Sequence, residues 1–301
     1  MIDRLHPARI GLALGGGGAR GLAHLGLLKV LDRERIPIYG LAGTSMGGLI
    51  AAAYARGFTP DEIEVEITQL AQTTRLLRLA DRIPTFSGLF KGTRFHGYLA
   101  SHIGADTTFG ELKCPLALTA VDLTSGQEVV LDAGSVVGAM RATMSIPGVY
   151  QAVKMGRMRL VDGGVLNNVP VDPARRLGAR RVIAVDVLPD FSANNPQGPT
   201  TVSGMELPLM GFIPPIARDL WEVVQVAISA MTARRLAESP PDVLLRPEIP
   251  LDVSLLIGFT RAEEIIAAGE AAAEAALPEI RRIVEEAESR DGPEQQGVGA
   301  D

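Results

Sequence analysis

At 301 residues, with 47% apolar and 21% charged side chains, the chain can bury a sizeable core and has the balance of a soluble globular protein. A formal charge of −6 and an isoelectric point near 5.4 argue against a nucleic-acid partner and against electrostatic docking on anionic lipid, since no basic stripe is available to displace counterions. One cysteine, Cys114, excludes an internal disulfide and a thiolate-rich metal site.

In chain order, Ile10 to Leu14 is a short apolar run ended by glycines and reads as a buried strand. Leu22, Leu25, Leu28 and Leu31 then recur at helical spacing. The N-terminal residues contain no apolar run long enough for a signal peptide, and no later stretch reaches the roughly 18 apolar residues of a bilayer span, so a cytoplasmic location is expected. Tyr39 to Ala42 predicts a second strand and Gly47 to Arg56 a small-residue helix. Thr59-Pro60-Asp61-Glu62 is a helix start, with Thr as cap, Pro at the first helical position and acids in the first turn.

Residues 60–110 read as mainly helical, broken at Gly88 and Gly92. Strands follow at Leu116 to Val121 and Glu128 to Leu131, then a helix from Ser135 to Met144. Val153 to Met155 and Arg159 to Val161 flank Gly156-Arg157 as a hairpin that feeds into Asp162-Gly163-Gly164. A short helix at Pro173 to Leu177 precedes the strand Arg181 to Val187. Residues 190–210 read as a loop. An apolar stretch within 205–221 is expected to line an acyl channel, to form a lid at a membrane surface, or to pack in the core. A helix to about Glu238, a strand at Val243 to Leu245 and a long helix from Ala262 to Glu288 complete one domain over 1–290; 291–301 is a polar, disordered tail. Strands alternating with helices indicate an α/β fold with a largely parallel sheet.

Two turns carry chemistry. Gly15 to Gly21 offers a run of backbone N–H groups where negative charge is welcome, with Arg20 adding a fixed positive charge. Gly43-Thr44-Ser45-Met46-Gly47 fits the G-x-S-x-G elbow, in which Gly43 and Gly47 are small so that a serine hydroxyl can stand clear between strand and helix. The glycine turn also satisfies the dinucleotide pattern through Gly16, Gly18 and Gly21, which keeps a nicotinamide-type oxidoreductase as a rival, with Asp32 or Glu34 as the ribose acid. The best catalytic acid is Asp162, at a strand end before two glycines that let its turn approach another element. A Ser–acid–His order is excluded by counting, since the four histidines are His6, His24, His96 and His102 and none follows Asp162. Surface or supporting roles are expected for His24, His96 and His102.

Together, GGGARG at 16–21, GTSMG at 43–47, RATMSIP at 141–147 and DGG at 162–164 resemble the patatin-like phospholipases, over roughly residues 8–190. The resemblance implies a three-layer α/β/α fold and a lipid acyl hydrolase of the phospholipase A type, working through a Ser–Asp dyad with no metal or cofactor. Carried over, Ser45 is the nucleophile and Asp162 the base, with Gly163 and Gly164 supporting the acid turn. The amides of Gly16, Gly17 and Gly18 form the oxyanion hole beside Arg20, and Asn168 braces the site. The expected partner is a fatty-acyl ester or lipid, met by transient contact with a membrane surface. Plant members carry an acid before the glycines, where Leu14 and Gly15 stand here. A non-catalytic lipid-binding or regulatory module on the same fold is the other rival.

Overall fold

The computed structural model describes residues 8–71, 90–189, 215–250, 253 and 258–289. The expectations for the loop after 190, for the apolar residues 205–214 and for the C-terminal tail lie outside these residues.

Strand β1 (Ile10–Leu14) passes through a 3-10 turn (Gly18–Leu22) into α1 (Ala23–Arg33), and β2 (Ile38–Gly43) leads into α2 (Ser45–Arg56). Next come α3 (Pro60–Ala71), α4 (Thr93–Ile103), the hairpin of β3 (Leu116–Asp122) and β4 (Gln127–Leu131), and α5 (Val136–Thr143). A second hairpin, β5 (Val153–Met155) and β6 (Met158–Asp162), precedes α6 (Val171–Arg176), β7 (Arg181–Val185), α7 (Pro215–Glu238), β8 (Val243–Leu245) and α8 (Ala262–Ser289). The start of α3 is capped as its sequence predicts, and reciprocally: Glu62 N donates to Thr59 Oγ1 (3.2 Å), and Thr59 N to Glu62 Oε2 (2.8 Å).

The strands form one mixed sheet in the order β5-β6-β3-β2-β1-β7-β8, with β4 also paired to β3. The run β3-β2-β1-β7-β8 is parallel throughout, and among the described strands only the two hairpins and the β3–β6 pair are antiparallel. Alternation along the strands makes the two faces unequal. Leu12, Leu14, Leu41, Leu118, Ile183 and Val185 face a large core shared with α1, α2 and α8. Ala13, Ala42, Ala117 and Ala184 face a thinner layer made by Val171 and Ala174 of α6 and by Leu236 of α7. The result is a three-layer α/β/α arrangement with its bulk on one side. No helix among the described residues is long and apolar enough to cross a membrane.

Helices α1 and α8 touch backbone to backbone where Gly26 meets Gly269. A side chain at Gly26 would run into the Ile266 carbonyl and the Glu270 amide, and one at Gly269 into the Ala23 carbonyl. Backbone cannot yield as a flexible side chain can. Gly26→Ala is therefore expected to lower the unfolding free energy by about 1–3 kcal/mol. Denaturant titration reads this directly, and an unchanged midpoint would mean that the helices can slide apart.

The sheet also decides where the site lies. Strand β2 pairs with Leu116 to Leu118 of β3 and runs parallel to it, while β6 pairs with Ala120 to Asp122 and runs antiparallel. Because β4 occupies the opposite edge of β3 over Leu118 to Asp122, β2 and β6 share one edge and approach each other end to end. The residues just after β2 and those that end β6 must meet there. They are Ser45 and Asp162.

Candidate active site

Thr44 leaves β2 in an extended conformation (φ −125°, ψ 135°), Ser45 sits at φ 53°, and α2 begins at Ser45 itself, two residues earlier than its apolar spacing predicts. A positive φ is costly for a non-glycine residue and is held only where the surroundings fix it. Several contacts do so. Ser45 N donates to Thr143 Oγ1 (2.9 Å) and Thr44 N to the Leu14 carbonyl (3.1 Å). Thr44 Oγ1 donates to the Asn167 carbonyl (3.1 Å), which leaves it to accept from Thr119 Oγ1 (2.6 Å). The elbow also closes on itself: a side chain at Gly43 would lie 2.6 Å from Gly48 Cα, and one at Gly47 would strike the carbonyls of Leu14 and Gly15. The Ser45 hydroxyl rests against Met144 Sδ at 3.6 Å.

Asp162 ends β6 and is 6% exposed. Its amide donates to the Ser145 carbonyl (3.0 Å) and its Oδ1 accepts from Gly164 N (2.8 Å). Burial pushes its pKa up from the ordinary 3.8 to about 6, against the pull of the Ser45 hydroxyl and the Gly164 amide, which favour the carboxylate. Asp122, at the end of the adjacent strand, shows the opposite environment. It accepts from the amides of Arg159, Thr124 and Ser125 and from the Ser125 hydroxyl, and these donors, led by the Arg159 amide, draw it down to about 2. Asp122 locks a turn in its charged form, and the two carboxyls' environments push their pKa values in opposite directions.

The glycine turn differs in detail from its sequence-based assignment. Gly15 N donates to the Val185 carbonyl (3.0 Å), and Gly16 N to the Asn168 carbonyl (3.3 Å). The Gly16 amide thus has an internal partner in the Asn168 carbonyl. Among the described residues the Gly17 and Gly18 amides have no such partner, and Gly18 stands at φ 56°, where glycine is favoured. Asn168 holds Gly16 from both ends, since its Nδ2 also donates to the Gly16 carbonyl (3.1 Å).

Arg20 is held by backbone carbonyls. The residue is 5% exposed, and its guanidinium donates to the carbonyls of Val187 (2.6 Å), Pro250 (3.0 Å), Val253 (3.2 Å) and Ile249 (3.4 Å). Burial lowers its pKa to about 10, with Asp186 opposing the shift. Arg20 is a brace that ties Val187, just after β7, to Ile249, Pro250 and Val253, and its charge is directed at those carbonyls.

Ser45, Asp162, Gly16, Gly17, Gly164 and Asn168 line one cleft, walled by Ile146, Pro147, Val165, Leu188, Val224 and Ile228, with Gln225 as the added polar group. Val224, Gln225 and Ile228 belong to α7, so this helix covers the site. Its far end is anchored by Arg235, which pairs with Glu128 of β4 (2.5 Å). The rival ribose acids are engaged elsewhere: Asp32 accepts from the Tyr54 hydroxyl (2.6 Å), and Glu34 pairs with Arg281 (2.5 Å). Neither lies at the tip of β2, which Ser45 occupies.

Several supporting residues had no distinct role from sequence. Thr143, Met144 and Ser145 contact Ser45 or Asp162 directly, and only their place in the RATMSIP block could have pointed to them. Arg141 holds this block by donating to Ser145 Oγ (2.7 Å) and to the Lys91 carbonyl (2.9 Å). His24, expected at the surface or in support, is wholly buried behind the glycine turn. His96 is exposed and His102 pairs with Glu66 of α3 (3.0 Å); both histidines are on α4 and neither lines the cleft.

The family model described as patatin-like phospholipase matches residues 12–175, a span that contains the elbow, the glycine turn and the acid turn. The chain belongs to the patatin-like phospholipase family. It is 36% identical over 185 residues to a patatin-like phospholipase domain-containing protein of Caenorhabditis elegans, covering 59% of this chain and 13% of that one. An uncharacterized NTE family protein of Mycobacterium tuberculosis, Rv2565, is 31% identical over 286 residues, covering 92% of this chain and 48% of the relative. The chain thus spans about half or less of these relatives. Among solved structures, VipD from Legionella pneumophila shares the fold, with a TM-score of 0.57 at 13% identity over 92% of this chain and 67% of VipD. The match to the family model ends within α6, so α7, which covers the cleft, lies beyond it, whereas the similarity to Rv2565 extends over 92% of the chain.

Proposed function

We propose that the protein is a serine acyl hydrolase that cleaves fatty-acyl esters of lipids, phospholipids or lysophospholipids first among them. The observation that carries this reading is the end-to-end meeting of β2 and β6, which sets a serine in a strained elbow beside a buried carboxyl with a raised pKa. In this reading Asp162, as carboxylate, takes the proton of Ser45 while Oγ attacks the ester carbonyl. The hydroxyl need only turn from Met144 Sδ, a weak acceptor, toward the carboxylate. The amides of Gly17 and Gly18 hold the developing oxyanion. Collapse expels the alcohol, which takes the proton from Asp162; Asp162 then deprotonates the attacking water and returns that proton to Ser45 Oγ as the fatty acid leaves. A base near 6 is better matched to this work than an ordinary carboxylate near 4.

The apolar walls of the cleft suit an acyl chain rather than a charged leaving group. Leu220, Val223 and Val226 of α7 are 64%, 64% and 51% exposed beside the cleft-lining residues, which supports transient contact with a lipid surface. The test is labelling with a fluorophosphonate, then peptide mapping across pH. A single adduct on Ser45 is expected, with a rate that rises as pH passes through about 6 and is flat above, because the base must be charged to act. A folded protein that forms no adduct, or forms it on another serine, would sink the assignment.

A further inference from the structure

We propose that His24 is a positioning residue: its Nε2–H holds the Gly15 carbonyl so that the Gly15–Gly16 peptide cannot turn over and the Gly17 amide keeps its direction toward the reacting carbonyl. The proposal rests on the hydrolase reading above and deepens it.

His24 lies in the first turn of α1 with none of its surface exposed. Its Nε2 is 2.7 Å from the Gly15 carbonyl oxygen. A carbonyl only accepts, so Nε2 carries the proton and Nδ1 is left as a bare acceptor. Among the described residues no group donates to that Nδ1, although it is buried. An apolar side chain in this slot would avoid stranding a polar atom. What the imidazole adds is therefore the single bond to Gly15. Burial also draws the imidazole pKa down to about 4, so the ring stays neutral and the donor is kept across the neutral range.

The bond matters because it fixes the first of two peptide planes that lead to the Gly17 amide. In a trans peptide the C=O and the next N–H point in opposite directions. With the Gly15 carbonyl held by His24, the Gly16 N–H is directed to the Asn168 carbonyl. With the Gly16 carbonyl held by Asn168 Nδ2, the Gly17 N–H is directed away from Asn168. Two consecutive peptide planes are thus pinned, one by His24 and Asn168 together and one by Asn168. These are glycine–glycine units, with no side chain of their own to resist rotation. Removing His24 frees the first plane, and the second loses its fixed neighbour. Gly16 is also close to the nucleophile, since a side chain there would lie 3.0 Å from Ser45 Cβ, so a turned peptide would disturb the serine directly.

The experiment compares His24→Leu, which removes the donor, with His24→Gln, whose amide can restore an N–H near the position of Nε2. Turnover of a soluble p-nitrophenyl ester and inhibition by a trifluoromethyl ketone, which forms a tetrahedral oxyanion on serine, are measured alongside thermal melting. His24→Leu is expected to lower kcat by roughly 10- to 100-fold with KM nearly unchanged, and to weaken the ketone in proportion to the loss in kcat/KM. His24→Gln is expected to recover most of both. Wild-type turnover in folded His24→Leu would overturn the proposal. So would equal losses in the two variants that track a fall in melting temperature, since that pattern is structural. Failure of the hydrolase reading is seen separately, as a wild-type protein that forms no fluorophosphonate adduct, and it would remove this proposal with it.

Discussion

Ser45→Ala is expected to reduce ester hydrolysis on the order of 10⁴- to 10⁶-fold, the scale on which a covalent nucleophile fails when its oxygen is removed. The fold should tolerate the change. The Ser45 hydroxyl rests on Met144 Sδ at 3.6 Å, a weak contact, while the elbow is held by main-chain bonds and by threonine hydroxyls that alanine leaves in place. Alanine at φ 53° carries the same steric strain as serine there, so the melting temperature should shift little. The measurement is steady-state hydrolysis of a soluble ester together with thermal melting. Retained turnover in a folded Ser45→Ala protein would show that the chemistry runs through another group, and the dyad would have to be abandoned.

Asp162→Asn is the second large effect, and it moves activity and stability in opposite directions. Asparagine keeps the shape and can still accept from Gly164 N, but it cannot take a proton. A loss of about 10²- to 10⁴-fold in kcat is expected for removal of a general base. For stability, the wild-type carboxyl has a folded-state pKa of about 6 against an ordinary value of 3.8. Between these values the folded protein binds more protons than the unfolded chain, so wild-type stability falls as pH rises from about 4 to 6. The shift of roughly two units amounts to about 3 kcal/mol, fully felt above pH 6 and absent below about pH 4. Asp162→Asn is therefore expected to be more stable than wild type at pH 8, by up to about that amount, with the difference closing as pH falls toward 4. Denaturant titrations of both proteins at several pH values measure the gap. A gap that does not vary with pH would mean that Asp162 is not a strained buried charge, and near-normal turnover would mean that another base serves Ser45.

The hydrogen bonds at the glycine turn narrow what mutation there can test. With the Gly16 amide engaged by Asn168 and the Arg20 guanidinium engaged by the carbonyls of Val187, Ile249, Pro250 and Val253, a loss of activity in a Gly16 or Arg20 variant reports on the frame of the site. Gly17 is the more direct probe of oxyanion stabilisation, but a side chain added there would press on Val187 Cγ2 at 2.5 Å. Changing the residue that holds the turn, as with His24, separates the two effects more cleanly.

Much of this protein was legible in its sequence because the signals are local. Apolar runs of four to six residues bounded by glycine and proline mark the strands of the sheet, and leucines at helical spacing mark α1. The elbow could be read because a serine between strand and helix needs glycine on either side, and the steric demand lies within a few residues. The absence of any histidine after Asp162 excluded a Ser–acid–His order from the count alone. What the sequence could not reveal was set by hydrogen bonds between distant segments. That β2 and β6 share one edge of β3 is a matter of pairing registers, which no period in the chain records. Whether a glycine amide is open or occupied depends on a partner such as Asn168, and whether an arginine faces a site depends on which carbonyls surround it. Asp122 and Asp162 look alike in sequence, each at the end of a strand before a turn. Only the packing gives one a set of donors that keep it charged and the other a burial that lets it take a proton.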